Sequence, residues 1–287
     1  MLIELIQEIN KKRFLDYIHG FTFKIGSSFR RVVRWPQVSL HIIAIVISIP
    51  IIAYGGDWGY HLFFRNNIFF QIFLFPAVPL GGLIPFMLPP VIYLYGKKEK
   101  KPYLESLAFA LTQAAVLGVF WSSIYKAITG RIGPEIFENI ENDYSKEFAF
   151  GILRNGVFHG WPSAHTAIAW AMAVVLYYYR SEDKTINQGS PKDTPKLLHY
   201  KKYAFVYAFY IGFGVSTNIH WFSDAIAGAL IGVSVGLSVT RTYSRYWKID
   251  NQEQSNTRVI YLVFFIMFIL IIFSFITSEN LKFAFNK

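Results

Sequence analysis

Residues 203–240 read YAFVYAFYIGFGVSTNIHWFSDAIAGALIGVSVGLSVT, and this stretch decides the fold. Two apolar runs, 203–219 and 221–240, meet at Ile219-His220-Trp221-Phe222-Ser223-Asp224. Both runs have the composition of bilayer-spanning helices, which places the histidine and the aspartate at a membrane edge. Ionisable side chains there are costly and read as functional by default. Four residues apart, His220 and Asp224 share one helical face. Asp224 can then accept a hydrogen bond from one ring nitrogen and leave the other to attack. The same pair would also serve as polar glue between helices.

Working outward, Trp161-Pro162-Ser163-Ala164-His165-Thr166 opens a further apolar run at 161–179. Proline suits a first helical turn, whose unpaired N–H groups face outward. Such a helix end cradles phosphate through its donors and its dipole. Ser163 adds a hydroxyl or simply caps the helix, and the small Ala164 lets an oxyanion approach the backbone. Two histidines and a carboxylate are the parts of phosphoryl transfer. One imidazole attacks, the other protonates the leaving group, and the acid fixes the tautomer of the attacker. His220, His165 and Asp224 are the catalytic candidates.

Lys126 ends the apolar run 104–125, and Arg131 follows in Lys126-Ala127-Ile128-Thr129-Gly130-Arg131-Ile132-Gly133-Pro134. Two cations at a membrane exit serve as snorkelling anchors or as anion ligands. With Ser163 and Ala164 they make the phosphate-binding candidates. Arg154 and His159 are weaker ones.

The composition fits a membrane protein. Of the 287 residues, 53% are hydrophobic, 18% aromatic and only 16% charged, against roughly 25% charged in soluble domains. Apolar stretches fall at 37–55, 78–95, 104–125, 161–179, 203–219, 221–240 and 259–277. The first 36 residues are charged and mixed, so the first span reads as an uncleaved anchor. The absence of cysteine removes disulfides and thiolate chemistry.

The net charge of +10 does not point to nucleic acid, because of where it sits. Lys11, Lys12, Arg13, Lys24, Arg30, Arg31 and Arg34 precede the first span, and Lys97, Lys98, Lys100 and Lys101 fill the second short loop. Arg180, Lys184, Lys192, Lys196, Lys201 and Lys202 follow the fourth span, and Arg241, Arg245, Lys248 and Arg258 the sixth. If all seven stretches span, these segments share one side, which the positive-inside rule makes cytoplasmic. Anionic lipid headgroups are their expected partners. The candidate catalytic residues then all lie on the opposite, extracytoplasmic face. The pattern predicts an integral protein of a plasma membrane, such as a bacterial inner membrane.

Along the chain, 1–36 reads as a cytoplasmic or interfacial segment, with Leu2, Leu5, Ile6 and Ile9 on one helical face. Residues 57–77, which mix Asp57, His61 and Arg65 with aromatics, read as an extracytoplasmic loop with a partly buried segment, and Pro76, Pro79, Pro85, Pro89 and Pro90 predict an irregular second span. Loop 180–202 is polar and interrupted by Gly189-Ser190-Pro191. Ala225, Gly228, Gly232 and Gly236 predict close helix packing. A single membrane domain is expected over 37–240, followed by a cytoplasmic loop, a seventh span and a tail over 241–287. No feature of the sequence sets an oligomeric state.

The order of these motifs resembles the type 2 phosphatidic acid phosphatase superfamily, which holds membrane lipid phosphatases and the vanadium haloperoxidases. The likeness covers about 104–240. It rests on Lys126, on Pro162-Ser163-Ala164-His165 (alanine replacing the usual glycine), and on His220 and Asp224 with the trailing Ala225-Ile226-Ala227-Gly228. The resemblance implies an all-α polytopic membrane bundle, here a six-span core plus one extra C-terminal span. It implies His220 as the nucleophile forming a phosphohistidine, Asp224 as its orienting partner and His165 as general acid. Lys126 and Ser163 would bind phosphoryl oxygens, without metal or other cofactor.

Two departures stand out. The arginine that the family carries seven residues after the lysine is here Gly133, and the one six residues before the histidine is Gly214. Planar bidentate donors are strong phosphate ligands, so the clamp must be built otherwise. Arg131, two residues from the vacant place, is the expected substitute. A lipid phosphatase is the leading expectation, with a phosphatidylglycerol phosphate, undecaprenyl diphosphate, phosphatidic acid or lipid A phosphate as substrate. A headgroup transferase resembling the sphingolipid synthases, and a non-catalytic lipid binder, are the alternatives.

Overall fold

The computed structural model describes residues 14–134, 143–158, 160–179, 201–246 and 265–272. Its helices include α1 Ile25–Val32, α2 Gln37–Ala53, α3 Gly56–Arg65, α4 Ile68–Leu74, α5 Ala77–Lys98, α6 Pro102–Thr129, α7 Ala164–Tyr178, α8 Tyr203–Asn218 and α9 Phe222–Tyr246. Among the described residues there is no strand, only an isolated bridge between Arg131 and Phe148. The all-α expectation holds.

α9 is the axis of the bundle, packed along α7 and flanked by α2, α6 and α8. Its small residues set this contact. A Cβ at Gly228, Gly232 or Gly236 would overlap the α7 backbone at Ser163, Ala167 or Ala171. The four-residue spacing therefore brings two backbones together, as anticipated. Around the outside, Ile42, Val46 and Ile49 of α2, Phe86 and Val91 of α5, and Val206 and Phe209 of α8 are exposed. A continuous apolar exterior of this kind suits lipid rather than water.

Among the described residues, three helical segments are long and apolar enough to cross a membrane: Ile68–Lys98, Pro102–Thr129 and Phe222–Ser244. Phe14–Val32 with Gln37–Ala53, bent by 54°, supplies a fourth. These features are compatible with an integral membrane protein. α7 and α8 have 15 and 16 residues, which at about 1.5 Å per residue fall short of a bilayer core of about 30 Å. The count of six spans plus one is therefore not reproduced. Of the stretch 259–277, only 265–272 lies among the described residues; it is helical, and its Leu270 packs on Ala127 and Val157.

Other expectations change. The prolines do not break the second span: α5 runs from Ala77 to Lys98 through Pro85, Pro89 and Pro90. Each ring removes one backbone donor and crowds the carbonyl four residues earlier, while its fixed φ remains helical. Residues 57–77 are not a loop but largely α3 and α4. The N-terminal segment does not stand apart as far as it is described, since Phe21, Phe23, Ile25 and Val32 join the core with Leu104, Leu107 and Tyr243. Gln113 donates to the carbonyls of Phe21 and Phe23, and the Ser28 hydroxyl lies within hydrogen-bond distance of Gln113 Oε1 and Thr242 Oγ1. The apolar face at Leu2–Ile9 and most of loop 180–202 lie outside the described residues.

Candidate active site

Four helix ends converge at one end of the bundle: the last turns of α6 and α8 and the first turns of α7 and α9. α6 stops at Gly130, whose φ of 52° is left-handed. A Cβ there would also collide with the carbonyl of Ala149, so glycine alone fits the turn. The next residue, Arg131, bridges to Phe148 and points its side chain inward.

Ser163 is the N-cap of α7, its hydroxyl accepting from the Thr166 N–H at 3.4 Å and from the Thr166 hydroxyl at 3.1 Å. Pro162 sits one residue before the cap, not in the first turn where the sequence had it. The cap places His165 in the first turn, facing His220. The His165 and His220 ring centroids lie 6.4 Å apart at 63°. Gly81 of α5 backs His165: a Cβ there would stand 3.1 Å from its ring.

His220 and Asp224 are buried. His220 Nδ1 lies 3.3 Å from Asp224 Oδ2, and Trp221 N–H donates to the same oxygen at 3.1 Å. With Asp224 ionised, Nδ1 carries the ring proton and Nε2 is the nitrogen with the attacking lone pair. Lys126, 2% exposed, donates to the Phe158 carbonyl at 3.3 Å. Arg154 is exposed, and His159 lies outside the described residues.

Arg131 is fully buried and sits behind Asp224. Nη1 donates to Asp224 Oδ1 at 2.5 Å and to Ser223 Oγ at 2.8 Å. Nη2 donates to Asp57 Oδ2 at 2.6 Å and to the Ser145 carbonyl, which Nε also reaches at 3.1 Å. The rings of Phe148 and Trp221 lie within 5.1 Å and 5.8 Å of the guanidinium carbon. A guanidinium has five N–H donors, and protein acceptors engage all of them. This differs from the expected phosphate clamp: Arg131 has no donor left for an oxyanion.

Asp57, Ser223 and Trp221 are site residues that the sequence reading passed over. A signal for Asp57 was present, an acid between Gly55-Gly56 and Trp58 in an aromatic stretch. Buried acids are rare unless paired, and the fold supplies Arg131 as the partner. On the same helix, His61 is buried between Trp58 and Trp221, and burial with the nearby Arg65 charge pushes it down to about 4.

A profile of the PAP2 superfamily matches residues 106–248. Through that segment the chain belongs to the PAP2 superfamily. No curated protein and no solved structure matches the chain. The PAP2 segment contains both histidines, Asp224, Lys126 and Arg131, whereas Asp57 reaches the site from outside it. PAP2 membership points to phosphatase-type activity on lipid phosphates. Gly214, the position of a missing PAP2 arginine, is closed by packing: a Cβ there would overlap Ala77 Cβ and approach the Leu74 carbonyl to 2.7 Å.

Proposed function

We propose that the protein is a membrane lipid phosphatase working through a phosphohistidine at the extracytoplasmic face. His220 Nε2 attacks phosphorus in line, and the bond from phosphorus to the leaving oxygen breaks. His165 gives that oxygen its proton, so the lipid leaves as an alcohol, or as a monophosphate if the substrate is a diphosphate. The N-phosphorylated ring is cationic, keeps its Nδ1 proton and is stabilised by Asp224. Water then attacks phosphorus and His165 takes its proton; the bond from phosphorus to Nε2 breaks, its electron pair returns to the His220 ring, and inorganic phosphate is released. Lys126, Ser163 and the backbone at Ala164 bind the phosphoryl oxygens. No metal takes part. The basic loops of the other face rest among anionic headgroups.

The observation that carries this reading is the arrangement of the two rings, 6.4 Å apart, with Asp224 on the Nδ1 side of His220. The test is phosphate release by purified protein in detergent from phosphatidylglycerol phosphate, phosphatidic acid, undecaprenyl diphosphate and lipid A. Release that disappears in His220→Ala supports the reading; equal release in that variant rejects it. A second reading, headgroup transfer to a lipid alcohol, is favoured by the engaged donors of Arg131 and the closed Gly214 position. A phosphodiester carries less charge than a monoester and needs a weaker clamp. It predicts no free phosphate and a need for a second lipid.

A further inference from the structure

The first turn of α3 carries a carboxylate into the site from outside the PAP2 segment. Asp57 is fully buried. Its Oδ1 accepts the Ser223 N–H at 2.7 Å, and its Oδ2 accepts the Ser223 hydroxyl and Arg131 Nη2, both at 2.6 Å. Arg131 is thus shared between two aspartates, Asp57 on one side and Asp224 on the other.

We propose that Asp57 is a positioning residue for the His220–Asp224 pair, acting through Arg131. The proposal rests on the reading of His220 as nucleophile. A lone Arg131–Asp224 pair would be neutral overall and would present His220 with a neutral partner. The second carboxylate cancels the guanidinium charge. The group Asp57–Arg131–Asp224 then carries one negative charge in excess. Asp224 Oδ2, the atom not used by Arg131, offers that charge to His220. When Nε2 takes the phosphoryl group the ring becomes cationic, and the excess charge is its counterion. Ser223 joins the two halves by donating to Asp57 and accepting from Arg131, which fixes the guanidinium plane behind Asp224.

The groups that bear on His220 among the described residues are Asp224 of α9, His165 of α7, and Lys126 near the end of α6. Arg131 adds to these from behind Asp224, as do Asp57 and His61 of α3, the latter across Trp221. Removing Asp57 leaves the set one charge more positive; removing Arg131 leaves it one charge more negative. The two variants must therefore move His220 in opposite directions, which loss of packing alone would not do.

The experiment compares wild type, D57N, R131Q and the double variant D57N/R131Q. The His220 ring titration is followed by NMR in histidine-labelled protein, with H220Q for assignment. The rate of phosphate release is followed against pH in parallel. D57N is expected to lower the midpoint by about one pH unit, R131Q to raise it by a similar amount, and the double variant to return near wild type. In both single variants kcat falls at least tenfold with KM little changed. Shifts in the same direction, no shift, or a double variant farther from wild type than either single one overturns the proposal. The titration needs no turnover, so failure of the phosphatase reading appears separately, as absent phosphate release alongside the expected shifts.

Discussion

The backbone N–H of Ser163 donates to the carbonyl of Asp224 at 2.9 Å, stitching the start of α7 to the start of α9. One bond between main chains thus fixes two motifs to each other without using their reactive side chains. Asp224 spends its carbonyl on α7, one carboxylate oxygen on Arg131 and the other on His220 and Trp221. The facing of His165 and His220 follows from this frame, and holding reacting groups in place is a large part of catalysis.

If His165 protonates the leaving oxygen, its loss should depend on the leaving group. His165→Gln is expected to slow release from an alkyl lipid phosphate by about 100-fold or more. An aryl phosphate such as p-nitrophenyl phosphate needs little protonation, so its phosphorylation of the enzyme should slow far less. Equal losses with both substrates would reject the acid role.

Ser163→Ala removes an N-cap, and this costs about 0.5–2 kcal/mol. The thermal midpoint in detergent should drop by a few degrees. Activity should fall further than that loss explains, because the same hydroxyl is proposed to touch the phosphoryl group. A lower midpoint with an unchanged rate per folded molecule would leave Ser163 as a cap alone.

Restoring the family arginine should fail. Gly214 faces Ala77 and the Leu74 carbonyl, leaving no room for a Cβ. Gly214→Ala is expected to destabilise by about 1–3 kcal/mol, and Gly214→Arg by more. Neither should raise activity. A stable and faster Gly214→Arg would show that the junction of α4 and α5 opens to admit the side chain.

His61 predicts an acid-sensitive fold. Its value in the folded chain is about 4 against an ordinary 6.5. Between these values the unfolded chain takes up a proton that the folded chain refuses. The contribution of His61 to stability is therefore full above pH 6.5 and is lost as pH falls toward 4. His61→Phe keeps an aromatic ring against Trp58 and Trp221 without a titrating group. Its thermal midpoint should fall less between pH 7.5 and 4.5 than that of wild type; equal drops would exclude His61 as a source of the sensitivity.

Much of the architecture was legible because its signals are local. The apolar runs correspond to α2, α5, α6, α7, α8 and α9, and the glycine spacing of α9 marks its seam with α7. The runs at 161–179 and 203–219 are already short in the sequence; what was not legible is the start of α7, because its run counts Trp161 and Pro162, which the fold assigns to the turn before the helix. The helicity of 57–77 was obscured by its mixed charge and aromatic content. Asp57 and His61 of α3 face Arg131 and Trp221, where the polar residues of a surface helix would face water.

The sequence by itself determined a helical, lipid-compatible chain with two histidines and an aspartate at the ends of apolar runs. Period and composition act over a few residues and need no partner to be read. Only the tertiary structure decided where Arg131 goes. From its distance to the vacant Gly133 place it looked like a phosphate ligand, yet a buried guanidinium takes whatever acceptors the fold delivers. The fold delivers Asp57, Asp224 and the Ser145 carbonyl. Asp57 and Arg131 belong to distant segments with no shared period or motif. Their pairing is enforced by the cost of burying either charge alone, and that cost arises only once the chain has closed around both.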